Sequence, residues 1–182
     1  MDLFGWGILP YSSNQYYEKR GKRMTGKTHI IGGLAASLAY AQFSDGDPVL
    51  LIGAGVIGAV IPDICHGGSK IGRALPLLSK VINTLFGHRS FTHSLLFLVI
   101  MGVLLNSFVR NEAMQEGIMV GMISHLVLDM ATRNGIKLLF PLKTRVRLPI
   151  TTRTGGTVES VVMAVLSVLS VYFGYEVFGY YL

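Results

Sequence analysis

Thiols are almost missing from this chain: Cys65 is the single cysteine in 182 residues. That excludes an internal disulfide and any zinc site built mainly on cysteine. Charge is scarce as well, at 14% of residues, where soluble domains carry roughly 25%. The first residues lack a basic n-region and a sufficiently long h-region, so Met1 to Pro10, though apolar and aromatic, do not read as a cleavable signal. Apolar runs of about 20 residues, the length that crosses a full hydrocarbon core, are few.

What the chain does have is apolar. Hydrophobic residues make up 51% and the mean hydropathy is +0.51, which points to a bilayer as solvent for one domain. The net charge of +6 comes from basic residues set between apolar stretches, so anionic lipid is the expected partner and nucleic acid is not. Five apolar segments stand out, about Ile30 to Phe43, Val49 to Ile61, Leu95 to Val109, Ala113 to Ala131 and Val158 to Phe178. They predict an all-α integral membrane bundle whose short spans are accommodated by thinning or tilt. Gly32, Gly33, Ala35, Ala36, Gly53, Gly55 and Gly58 suit close helix packing in lipid. Residues 1–23, with Phe4, Trp6, Tyr16 and Tyr17, read as a tail or interfacial segment, and 24–182 as the membrane-embedded domain.

Running the five segments up and down places Met1 to Thr28, Pro62 to Thr92 and Thr132 to Thr157 on one side. Fifteen of the sixteen basic residues fall there, and Arg110 alone lies opposite. The positive-inside rule makes that side cytoplasmic, in a multi-pass protein with a cytoplasmic N-terminus. The C-terminal Tyr172, Phe173, Tyr175, Phe178, Tyr180 and Tyr181 read as an interfacial belt.

The same alternation carries His29, Asp63, His66, His88, His93, His125, Asp129 and Glu159 to that one side. Asp63, Asp129 and Glu159 sit at helix ends among apolar residues, where an ionised carboxylate is costly unless a cation compensates it. Imidazoles with carboxylates suit zinc, manganese or iron. The set exceeds what one ion needs, so two ions bridged by a carboxylate are considered, an arrangement that clamps the attacking and leaving oxygens in phosphoester hydrolysis. His125 and Asp129, four apart on one helix, have a chelating spacing, although such a pair is also an ordinary hydrogen bond. In Gly87-His-Arg-Ser-Phe-Thr-His93-Ser, Thr92 is placed to cap the helix that His93 starts. Arg89 offers a planar fork to a phosphate, and His88, off the face of His93, suits proton transfer. The alternative for this stretch is a capped helix with solvated basic residues. Glu159 also fits as a favourable acid in a first helical turn.

At these residues the chain resembles a bacterial inner-membrane family described as LexA-regulated, membrane-bound predicted metal-dependent hydrolases. The likeness rests on Gly26-Lys-Thr-His29 with Gly32-Gly33, Pro62-Asp63 with His66, Ser69-Lys-Ile-Gly-Arg73, Gly87 to Ser94, Ser124-His125 with Asp129, and Arg147-Leu-Pro149. The resemblance implies an integral membrane metal-dependent hydrolase of the bacterial plasma membrane. Cys65 stands where the family often has aspartate, Ser90 where glycine is usual and Arg133 where proline is common. The resulting expectation is a phosphoesterase-like enzyme acting on a lipid headgroup at the cytoplasmic face. Its metal, zinc first, would be held by His29, Asp63, His66, His93, His125, Asp129 and Glu159, and His88 and Arg89 would be catalytic. The competing expectation is a non-enzymatic metal-stabilised scaffold or metal sensor. A metal transporter fits less well, because its ionisable residues belong near mid-membrane.

Overall fold

The five apolar segments are helical in the computed structural model, which describes residues 26–87, 90–149 and 156–179. In chain order the described helices are α1 (Gly26–Ala41), α2 (Pro48–Gly58), α3 (Lys70–Ala74), α4 (Pro76–Phe86), α5 (Leu95–Phe108), α6 (Glu112–Met130) and α7 (Thr157–Phe178). Two 3-10 turns, Ile61–Cys65 and Phe91–His93, complete them. Among the described residues there is no strand, only an isolated antiparallel bridge between Ile136 and Val146. The tail or interfacial segment expected at 1–23 lies outside the described residues, as do His88 and Arg89.

Polar residues set where these helices begin. Asp47 accepts from the amides of Val49 (2.8 Å) and Leu50 (3.1 Å) ahead of Pro48 at the first helical position, which satisfies amides that have no intrahelical partner. Asn111 caps α6 by accepting from Met114 N–H at 2.9 Å. The start of α5 differs from expectation: Ser94 is its cap, accepting from Phe97 N–H at 3.2 Å, and His93 lies in the 3-10 turn before it.

Two stretches are long and apolar enough to cross a membrane, Pro48–Cys65 (18 residues) and α7 (22 residues), while α5 is apolar but shorter. The expected set of five apolar helices is therefore present with only two of spanning length among the described residues. Helix α7 packs on α1, and Glu159 is its buried residue. Val161, Val165, Val168, Val171 and Tyr175 point outward, as lipid-facing residues do.

The tightest packing is between α2 and α6. Gly117 and Gly121 lie one turn apart on α6, and a Cβ on them would run into the carbonyls of Leu51 and Gly55 on α2. From the other side Gly58 meets the backbone of Ile118. Small residues let backbones touch in this way and supply the dispersion that holds helices together where water drives nothing. Beside this contact Leu98, Met122, Leu126 and Ile136 form a buried cluster. The chain after α6 folds back over it: Leu148 N–H donates to Met130 and Leu95 N–H to Leu138, both at 2.9 Å. The starts of α1, α5 and α7, the end of α6 and the first 3-10 turn thereby meet at one end of the bundle.

Candidate metal centre

The end of α6 supplies the centre of the cluster. Because residues four apart share a helix face, His125 Nε2 and Asp129 Oδ2 come within 3.7 Å, both fully buried. The ring of His125 is aimed from behind. Its Nδ1 lies 2.7 Å from the carbonyl of Ala59, and a carbonyl only accepts, so Nδ1 carries a proton and Nε2 is the nitrogen turned to the cluster. Such backing fixes the tautomer of ligating histidines.

His93 arrives from the second 3-10 turn. Its Nε2 lies 3.2 Å from Asp129 Oδ2 and 3.3 Å from His125 Nε2, and 3.9 Å from Asp63 Oδ1. Thr92, expected to cap a helix, instead places its hydroxyl 3.0 Å from His93 Nδ1. Burial works against the charged form of His93, but hydrogen bonds with Asp129 and Cys65 outweigh it and raise the pKa to about 9. Cys65 is buried, 3.7 Å from the Pro62 carbonyl, and its thiol lies beside His93.

His29, from the first turn of α1, stacks on His125 with centroids 3.8 Å apart. Its Nε2 lies 3.5 Å from Asp129 Oδ1. Asp129 therefore turns one oxygen toward His29 and the other toward His93 and His125. His29 Nδ1 is buried without a hydrogen-bond partner among the described residues, which is rare in native interiors.

Two overlapping groups of potential ligand atoms result, His29–Asp63–His125 and His93–His125–Asp129, each with all atoms within 4.8 Å of one another. A tetrahedral zinc with bonds of about 2.0–2.2 Å has ligand–ligand edges of about 3.3–3.6 Å. The separations of 3.2, 3.3 and 3.7 Å in the second group come within about 0.1 Å of such a triangle. One shared proton explains one of these contacts but not three at once. Asp63 is the partly buried member, with 21% of its side chain accessible.

Two of the sequence-derived ligands stand apart from both groups. Glu159 is buried and accepts a 2.8 Å hydrogen bond from Thr28, the neighbour of His29. The ring of His66 lies over Gly68, where a Cβ would sit 2.9 Å from its Nε2. Sequence reasoning missed Thr92 as a support for His93 and the Ala59 carbonyl as the support for His125; the second has no sequence signal, since any residue offers a carbonyl.

Residues 24–181 match the family described as YdjM inner membrane protein. The chain is 52% identical over 155 residues to the uncharacterized protein YvsG of Bacillus subtilis, covering 85% of this chain and 97% of that one. It is 34% identical over 163 residues to the inner membrane protein YdjM of Escherichia coli, covering 82% of each. The YdjM of Shigella flexneri matches to the same extent. No solved structure matches. The YdjM names give a location and no reaction.

Proposed function

Starting from a chain that belongs to the YdjM inner membrane protein family, we propose that its buried cluster is the metal centre of a membrane-bound hydrolase acting on a phosphoester, such as a phospholipid headgroup, at the cytoplasmic face. The observation that carries this reading is the triangle of His93 Nε2, His125 Nε2 and Asp129 Oδ2. Its size and donor set suit zinc, with manganese or iron as alternatives. His29 and Asp63 extend the set, and the divided contacts of Asp129 suit a carboxylate bridging two ions. Glu159 would stand behind His29 through Thr28, and His66 would serve at the rim.

A bound divalent cation would supply Lewis acidity and charge stabilisation to the phosphoester. The protein's own part is to hold the donors dry and aimed, to admit substrate past Asp63, and to move protons and bind the anion with His88 and Arg89. The fifteen basic residues assigned to one side support a multi-pass topology with this centre at the cytoplasmic face.

The full burial of His93, His125 and Asp129 also favours a second reading, a structural metal in a scaffold or sensor, since structural sites are closed by protein. Purification in detergent, metal analysis per chain and a phosphoesterase assay with His125→Ala as control distinguish the two. The hydrolase reading expects metal and turnover, both lost in the variant. Metal without turnover selects the scaffold, and no metal at all refutes both.

A further inference from the structure

The connection between α2 and α5 holds a feature that the metal centre does not use. On α4, Leu77, Val81 and Leu85 recur every four residues and are 81%, 53% and 69% exposed. The other side of the helix carries polar residues: Ser79 is buried, and Ser79, Lys80 and Asn83, with Gly67, Gly72, Arg73 and Pro76, line an open cleft of about 400 Å³. No acidic residue occurs between Asp63 and Glu112, and Lys70, Arg73 and Lys80 form no ion pair among the described residues. Helix α4 thus presents an unpartnered apolar stripe on one side and an uncompensated basic cleft on the other.

Continuity identifies what covers the stripe. Phe86 stacks on Phe91 at 4.6 Å, and Phe91 meets Phe97 of α5 edge-on at 5.2 Å. The exposed apolar surface of α4 therefore runs on into Leu95, Leu96 and Val99 of α5, in a chain of an inner-membrane family. A short helix with a strong apolar face and basic flanks lies in the plane of a membrane surface. We propose that α4 lies in the bilayer interface with its apolar stripe among the acyl chains, and that the Arg73–Lys80 cleft behind it binds the phosphate of an anionic lipid headgroup.

The cleft adjoins the metal centre through one turn. Ser69 Oγ lies 2.8 Å from the carbonyls of both Asp63 and His66 and accepts from Gly72 N–H at 2.9 Å. A lipid held here stands beside the loop that carries Asp63. Its role as held substrate rests on the hydrolase reading; its binding does not.

The test is calorimetric titration of the full chain in detergent with short-chain phosphatidylglycerol, short-chain phosphatidylcholine and inorganic phosphate. Saturable binding of phosphatidylglycerol is expected, weaker for the other two. The double variant Arg73→Gln/Lys80→Gln should weaken it roughly 30-fold, from about one factor of five per basic residue, while Arg73→Lys/Lys80→Arg keeps it. Leu77→Ser/Val81→Ser/Leu85→Ser should weaken the lipid and leave inorganic phosphate unchanged. Undiminished phosphatidylglycerol binding in the Gln variant overturns the proposal. So does inorganic phosphate binding as tightly as the lipid, which would make the cleft a free-anion site. Metal content and helix content of each variant establish that it folds. Persistence of lipid binding in metal-free His125→Ala keeps this inference separate from the fate of the hydrolase reading.

Discussion

At the scale of single residues, the histidines differ in how they are held, and their substitutions should differ accordingly. His125 spends its proton on Ala59, so His125→Ala should lose bound metal outright, measured as metal per purified chain. Thr92→Val leaves every donor in place but frees the His93 ring; loss of such backing weakens metal affinity about 10–100-fold, read by chelator competition. The elevated pKa of His93, about 9, gives a pH dependence with two opposite signs. In the metal-free protein, its stabilisation is complete below the ordinary value near 6.5 and fades as pH rises through about 9. Metal must displace that proton, so affinity should rise about tenfold per pH unit up to about 9. Thermal unfolding with and without metal at several pH values should show the metal's increment growing with pH. The i,i+4 spacing made the His125–Asp129 contact legible in the sequence, as did the placement of Asp63 and His29 at helix ends. The role of Thr92 was not legible, because a threonine before a helix reads as a cap and only the fold shows that Ser94 already holds that position.

At the scale of elements, the five apolar helices were readable from hydropathy alone, to within a few residues at their ends. The 3-10 turns and α3–α4 were not. The stretch 62–92 was read through its charges, and the spacing of Leu77, Val81 and Leu85, the signal that was available, marks an amphipathic helix and does not say what its apolar side faces. The glycines of α2 and α6 give a paired test. Gly121→Ala drives a methyl against the Gly55 backbone and should cost about 1–3 kcal/mol. Gly53→Ala, on the same helix as Gly55 but with nothing within 4 Å of its added Cβ, should be neutral or stabilise by up to about 1 kcal/mol through helix propensity. Thermal unfolding of both variants in one detergent checks the contrast.

At the scale of the molecule, topology makes a prediction independent of chemistry. Lys70, Arg133 and Arg110 are all exposed. In a Cys65→Ser background, cysteines at 70 and 133 should react with an impermeant reagent from the cytoplasmic side and a cysteine at 110 from the other. Labelling of 70 and 133 from opposite sides would dissolve the single-face arrangement. The burial of Glu159 against Thr28, and of Cys65 beside His93, belongs to this scale too, since each depends on helices far apart in sequence coming to one end. The Ala59 carbonyl has a wider bearing. It closes α2, whose distance from α6 is set by backbone contact at Gly55, Gly58, Gly117 and Gly121, so the spacing of two helices acts as the gauge that aims His125. An engineer who transplanted only the histidines and aspartates onto another bundle would carry over the reagents without the jig. The glycines would have to travel with them.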